Sequence, residues 1–419
     1  VNDAGPRPGS ARADSARAAA DHAARVSYGR LLALLAAPNG DLAAAEDALA
    51  AAFEQALATW PETGVPANPE GWLLTVARNR LRDLWKSAAY RTGAPLEAAA
   101  DHGLIDDLDP SVLSERRLEL LFVCAHPAID PAVRAPLMLQ TVLGFEAAQV
   151  AAAFAVPAAT MAQRLVRAKR RIKETRIPFV VPDRRALEER LPAVLEAVYG
   201  CYAIAWSTAD ARAANTPESL AGEGRYLAIT LAELLDSEPE AWGLAALITL
   251  SLARRSTTGV AYVPLEDQDP ATWDASLITE GEAYLRRAAG GGLGRFQLEA
   301  AIQSVHCARA VTGRTDWPAL RTLYLALVAV APSLGARIAL AAVIGRVDGP
   351  VAGLERLSEL ITEEPRAAEF QPYHATRAEL LARAGAADEA AAAFDRAIES
   401  TVDPAVRSYL ADRRRHVLP

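Results

Sequence analysis

Apolar residues along this chain return every three or four positions, and the segments with that period are cut by Gly, Pro and Asp, so the pattern predicts helices throughout. From Asp41 to Trp60, the stripe Leu42, Ala45, Leu49, Phe53, Ala56 and Trp60 predicts one helix with Asp41 as N-cap and Pro61 as its stop. Glu46, Asp47 and Glu54 fall on its exposed face. After a loop punctuated by Gly64, Pro66 and Pro69, the stripe Leu73, Ala77, Leu81 and Leu84 predicts a helix from about Glu70 to Ala88. On another face of that helix Arg78, Arg82 and Lys86 recur four apart, beside Asn79 and Asp83, and make a cationic ridge. Periodicity alone fits a merely solvated face equally well. Residues 91–111 lapse into a Gly/Pro/Asp-containing linker. A helical block from Val112 to Ala125 then opens a four-helix unit, with its second helix inside 126–143.

The most informative stretch is Glu146 to Lys173, EAAQVAAAFAVPAATMAQRLVRAKRRIK. Its first half places Phe145, Val150 and Phe154 on a buried face. Ala155, Val156 and Pro157 break the pattern, because proline has no amide donor and restricts the residue before it. The second half buries Met161, Leu165, Ala168 and Ile172 and carries Arg164, Arg167, Lys169, Arg170, Arg171 and Lys173. This is the pattern of a helix-turn-helix whose second helix enters a DNA major groove. Thr160, Gln163 and Arg164 are the candidate base readers, and Arg167, Lys169, Arg170 and Arg171 the candidate phosphate contacts. The plain alternative for the charge run is a solvated helix face. The break and the small-residue first helix favour DNA.

Beyond Pro178 and Pro182 the chain becomes Ala/Leu-rich amphipathic helices, with strand-like alternation at most over Gly259 to Leu265. Near the C-terminus Gly385 marks a turn between two helices, and Ala390, Phe394 and Ala397 occupy small and aromatic positions typical of tetratricopeptide-like repeats. A generic helical hairpin stays open as the alternative. Trp317 to Val330 and Leu334 to Ile344 read as a preceding pair.

Composition changes the picture in three ways. The net charge of −8 is uneven: residues 1–182 hold 20 Lys+Arg against 20 Asp+Glu, and the rest of the 44 and 52 gives 24 against 32 in residues 183–419. All excess negative charge therefore lies in the second part, which DNA should repel. The three cysteines, Cys124, Cys201 and Cys307, are far apart and read as reduced core thiols, with neither a disulfide framework nor a thiolate metal site signalled. Residues 1–20 contain acids, Gly and Pro but no apolar block, and are expected to be a disordered arm and not a signal peptide. With no run long enough to span a membrane, a cytoplasmic protein is expected.

Taken in order, AEDALAAAF (45–53), VPANPEGWLLTVARNRLRDLW (65–85), LFVCAHPAI (121–129), VPAATMAQRLVRAKRRI (156–172) and LEDQDPATWD (265–274) resemble the bacterial extracytoplasmic-function sigma factors. The likeness is to the branch with a long C-terminal, tetratricopeptide-like extension. It implies an all-α chain: sigma region 2 over 21–90, the linker 91–111, sigma region 4 over 112–178, a helical extension over 183–295 and helical repeats over 296–419. It implies that Glu46, Asp47 and Phe53 face the clamp helices of the β′ subunit of core RNA polymerase, with a second contact to the β flap. Asn68, Arg78, Asn79, Arg82 and Lys86 then meet the minus-ten element, where a base leaves the stack, and the helix-turn-helix meets the minus-thirty-five element. The extension is expected to act in cis, by docking on the sigma domains or on a regulatory protein. No cofactor, metal or catalytic activity is implied. The chain departs from the branch at Ala50 and Ala51, where a Gln-Glu pair is usual, at Gln149 in place of Glu, and at Gly200 to Ser207 in place of an Asn-Glu-Gly-Tyr run.

Two other classes stay open on the residues alone. One is a one-component transcription factor with a ligand-binding C-terminal part, which leaves residues 41–86 without a task. The other is an enzyme in the extension, built on Glu266, Asp267, Asp269, Asp274 and Trp273 with His306 and Cys307. Against it, carboxylates in such a loop more often cap the next helix.

Overall fold

The computed structural model describes residues 8–92, 110–207, 220–254 and 262–417, and every regular element among them is helical. The all-α expectation therefore holds. None of these helices is long and apolar enough to cross a membrane. The chain divides into two compact units near residue 207, with residues 217–224 counted in the first.

The first unit begins with α1 (Pro8–Ala36), α2 (Leu42–Thr63) and α3 (Pro69–Thr92), which pack on one another. The disordered arm expected over 1–20 is corrected here: from Pro8 onward it is helix. What replaces an apolar block is a stripe of small residues, Ala16, Ala20, Ala23 and Ser27, each buried at helical spacing. Alanine loses no side-chain entropy on burial and is the best helix former, so such a stripe can dock a helix without any large side chain. Helix α2 buries the expected face, with Leu42, Leu49 and Trp60 in its core. It is not stopped by Pro61, which lies inside it; the stop is Gly64, at φ 88°, whose N–H donates to the Trp60 carbonyl at 2.9 Å. Trp60 meets Trp72 of α3 edge-on, with ring centroids 5.5 Å apart. On α3, Leu73, Ala77 and Leu81 point inward as expected, but Leu84 is 43% exposed.

The same unit continues with α4 (Pro110–Cys124), α5 (Pro131–Thr141), α6 (Ala147–Ala153), α7 (Ala158–Thr175) and α8 (Arg184–Ser207). Most of the linker expected over 91–111 falls outside the described residues. Helix α8 packs on α5, where a Cβ on Gly200 would lie 3.8 Å from the Leu139 side chain. Helix α1 also reaches α4 and the end of α5. There a Cβ on Gly29 would lie 2.0 Å from the Val142 carbonyl oxygen, so only glycine permits this approach. The same carbonyl accepts from the buried Arg117 at 3.3 Å, and Arg117 is ion-paired to Glu223. Cys124 is fully buried against Thr141, and burial pushes its thiol up to about 12.

The second unit takes most of α9 (Leu220–Leu234) and all of α10 (Pro239–Ala253) to α19. Residues 241–253 of α10 are buried on every side, as expected of a helix wrapped by neighbours, here α11 (Ala275–Arg287) and α12 (Arg295–Cys307). After α12 the chain turns at Ala308 into a short α13 (Arg309–Thr312). Successive antiparallel neighbours follow: α14 (Trp317–Val330), α15 (Leu334–Val347), α16 (Pro350–Glu363), α17 (Gln371–Arg383), α18 (Ala387–Glu399) and α19 (Pro404–Val417). Between α15 and α16 the backbones meet at Gly345 and Gly353; a Cβ on Gly353 would be 3.0 Å from the Gly345 Cα and 2.8 Å from the Ala341 carbonyl oxygen. Gly385 takes φ 81° at the α17–α18 turn, and Ala390, Phe394 and Ala397 are buried. The carboxylates of the 265–274 segment divide by task. Asp269 accepts from the Ala271 N–H at 2.9 Å, and Asp274 caps α11 through Ser276 and Leu277 at 2.9 and 3.0 Å.

His306 is half-buried near Arg254 and Arg309, and burial first, then these two cations, lower its imidazole from 6.5 to about 4. Its folded state thus binds fewer protons than its unfolded state as pH falls through that window. Stability contributed above 6.5 is expected to be lost between pH 6.5 and 4, and the urea midpoint of a His306→Gln variant should change less over that range than that of the parent chain.

Candidate nucleic-acid interface

Helices α6 and α7 are joined by residues 154–157, and the connection is specific in its backbone. Gln149 accepts the Glu146 N–H through Oε1 at 2.9 Å and so fastens the start of α6. Ala155 takes the left-handed conformation at φ 51°. Pro157 then precedes α7 and contributes no side-chain cap, so the first N–H groups of α7 have no side-chain acceptor there. Uncapped N–H groups and the helix dipole together suit a phosphate. Phe145 and Val150 are buried as expected, whereas Phe154, expected on the same face, is 40% exposed at the end of α6.

Helix α7 buries Met161, Leu165, Ala168 and Ile172, the predicted stripe. The rest of its surface divides in two. Gln163, Arg167, Arg170 and Arg171 are exposed and Thr160 and Arg164 half-buried on the outward side. Arg164, Arg167 and Arg171 border a hollow of about 490 Å³ together with Asp130 at the start of α5. Lys169 is the exception among the predicted phosphate contacts. Its Nζ donates to both carboxylate oxygens of Glu46 on α2, each at 2.7 Å, with only 10% of the Lys169 side chain and 21% of that of Glu46 accessible. One turn on, Lys173 pairs with Asp41 at 2.6 Å.

The residues predicted on α2 and α3 are thus only partly outward. Asp47 is exposed and Phe53 half-buried, but Glu46 faces α7. Burial is the largest influence on the Glu46 carboxyl and holds it above the usual carboxylate range even against the pull of Lys169. Burial, then Glu46 and Asp47, likewise raise the phenol of Tyr28. On α3, Arg78 is half-buried, with burial first and Arg82 second lowering its guanidinium. Arg82 donates to the Asn79 Oδ1 at 3.3 Å, and Asn79, Arg82 and Lys86 are all exposed. Asn68 has a local task at the head of α3, where its Oδ1 accepts the Gly71 N–H at 2.8 Å. Sequence patterning missed Gly29, the Glu46–Lys169 pair and the fastening role of Gln149. Only the last has a local signal, in the three-residue spacing of Glu146 and Gln149.

Comparison with known proteins bears on the same segments. A model of sigma-70 region 2 matches residues 25–91, and a model of a family of unknown function matches residues 190–289. An uncharacterized protein of Rhizobium meliloti (strain 1021) is 35% identical over 393 residues, covering 90% of each chain. A probable ECF RNA polymerase sigma factor, SigI, of Mycobacterium tuberculosis is 32% identical over 145 residues, 33% of this chain and 49% of that protein. No solved structure matches.

Two outcomes follow from the geometry. Glycine is free of the left-handed penalty of about 1–2 kcal/mol that an alanine carries, so Ala155→Gly is expected to raise the unfolding free energy by roughly 1 kcal/mol in denaturant titrations, after the usual entropy offset. In a double-mutant cycle of Glu46→Ala and Lys169→Ala, the two losses should not add, with a coupling on the order of 1 kcal/mol.

Proposed function

Because this chain belongs to the extracytoplasmic-function sigma factors, in the branch with a long helical C-terminal extension, we propose that it grips core RNA polymerase with α2 and a promoter with α3 and α7. The family membership carries its role as a sigma factor and its binding to polymerase and promoter DNA. The residue assignments rest on one observation above others: two separate helices of the first unit, α3 and α7, each present exposed cations opposite a buried apolar stripe. In this reading Arg78, Asn79, Arg82 and Lys86 contact the opened minus-ten strand. Thr160, Gln163 and Arg164 read minus-thirty-five base edges, and Arg167, Arg170 and Arg171 hold phosphates. Asp47 and Phe53 engage the polymerase clamp helices.

Glu46 and Lys169 have opposite destinations, polymerase and DNA, and here they occupy each other. Full engagement therefore requires α2 and α7 to part. In this reading the extension acts in cis on that transition.

Transcription from a cognate promoter, reconstituted with core polymerase, tests the reading. Each of Arg167→Ala and Arg171→Ala should weaken holoenzyme binding to all promoters alike and reduce the logarithmic salt slope by about 1. Gln163→Ala should instead relax base preference at one position. Gly29→Ala, which forces α1 away from Val142, should raise binding to core polymerase several-fold. A chain that binds neither polymerase nor promoter overturns the proposal.

A further inference from the structure

The second unit contains a groove of about 630 Å³ between the 262–267 segment and helices α15, α17 and α19. That volume is in the range of small-molecule sites, roughly 300–1,000 Å³. Its segment wall is held in place from behind. The buried Arg309 donates to the carbonyls of Leu265 at 2.8 Å and Glu266 at 3.0 Å, and also to that of Gln268, and its guanidinium lies 5.0 Å from the ring centre of Trp273. A wall fixed in this way needs little ordering when a ligand arrives.

The groove combines apolar and aromatic surface with charge. Tyr262 and Tyr409 meet edge-on at 5.2 Å, and Trp317 lies under Arg346, 5.2 Å from ring centre to guanidinium carbon. Most of its charges cancel in place: Arg346 pairs with Glu266, and Arg413 makes a two-pronged contact to Glu379 at 2.8 and 2.6 Å. Two charges are left over, one of each sign. Arg383 has no hydrogen-bond or ion-pair partner among the described residues; burial and then the neighbouring Arg346 lower its guanidinium, against the pull of Glu266 and Glu379. Asp267 has no side-chain partner among them either, and its charge acts on Tyr409 and Arg413. The neutral imidazole of His306 is also part of the lining. Asp267 caps no helix, unlike Asp269 and Asp274, and Arg383 lies in the last turn of α17.

We propose that this groove is a binding site for a small zwitterionic ligand of the short-peptide class, with its carboxylate on Arg383, its ammonium on Asp267 and its side chains against Tyr262, Tyr409 and Trp317. A carboxylate on a guanidinium forms a charge-assisted pair, and one open charge of each sign in the lining suits a molecule that bears both. The inference stands on the second unit alone and does not depend on the sigma-factor reading.

Calorimetric titration of the full chain with the Ala-Xaa-Ala tripeptides tests it, each with free ends, with an acetylated N-terminus and with an amidated C-terminus. At least one free tripeptide should bind saturably with Kd below roughly 1 mM, and blocking either end should weaken it by about tenfold. Asp267→Asn should abolish the penalty for acetylation only, and Arg383→Gln the penalty for amidation only, with both variants melting as the parent does. If no free tripeptide binds in that range, the proposal fails. It fails equally if acetylated peptides bind as tightly as free ones, because the site would then take the carboxyl end of a protein tail.

Discussion

Two helices can approach only as closely as the side chains between them allow, and in this chain that distance is set by alanine and glycine. The stripe Ala16, Ala20, Ala23 and Ser27 lets α1 lie against its neighbours, and two residues later Gly29 lets its backbone touch the Val142 carbonyl. In the second unit Gly345 and Gly353 do the same for α15 and α16. Small residues bury less apolar area each than leucine, so stability comes from many close contacts whose packing is sensitive to a single added methyl group. Gly29 joins the later part of α1, where the match to sigma region 2 begins, to the segment just before α6 and α7.

Where α2 and α7 meet, charge and burial compete. The Glu46 carboxyl is held above the usual carboxylate range although Lys169 is 2.7 Å away, so the cost of taking the acid out of water exceeds the attraction that the pair returns. Such a pair adds little to net stability, yet removing one member strands the other in a desolvated place. It is therefore suited to being exchanged and not simply broken. A partner that offers Glu46 a cation and Lys169 a phosphate replaces both lost contacts at once, whereas a partner for only one of them leaves a buried charge behind. Under the function proposed above, polymerase and promoter acting together would satisfy that condition better than either alone, in keeping with the gain from two linked contacts.

Much of this was legible in the sequence. The 3.6-residue period fixes one face per helix, which is why the stripes of α2 and α7 were read correctly down to Met161, Leu165, Ala168 and Ile172. Ends were less legible: Pro61 is tolerated inside α2 because the carbonyl it leaves unbonded, at the exposed Leu57, can turn to water, and the positive φ of Gly64 makes the stop. The arm before residue 20 was missed because an alanine stripe has no large apolar residue to betray it. The partner of Lys169 was not legible at all. Spacing sets Arg167 and Arg171 about 200° round the helix from it, but only the position of α2 decides that Lys169 meets a carboxylate there.

The 265–274 segment shows how a structural reading and a binding reading can both hold. Asp269 and Asp274 satisfy helix N–H groups, and Arg309 gathers the carbonyls of Leu265, Glu266 and Gln268 just before them, so most of the segment's polarity serves to hold its own shape. Those groups form a rigid wall because they have no partner to seek elsewhere. Asp267 lies inside that framework without a bond of its own on the side chain, and Arg383 stands on a helix whose other charges are already paired. A charge left open on a rigid support binds with less loss of freedom than one on a mobile loop, because its position is fixed before the ligand arrives. The capping and clamping residues are in this sense what makes the open pair effective, and the segment's carboxylates need not share one task to belong to one site.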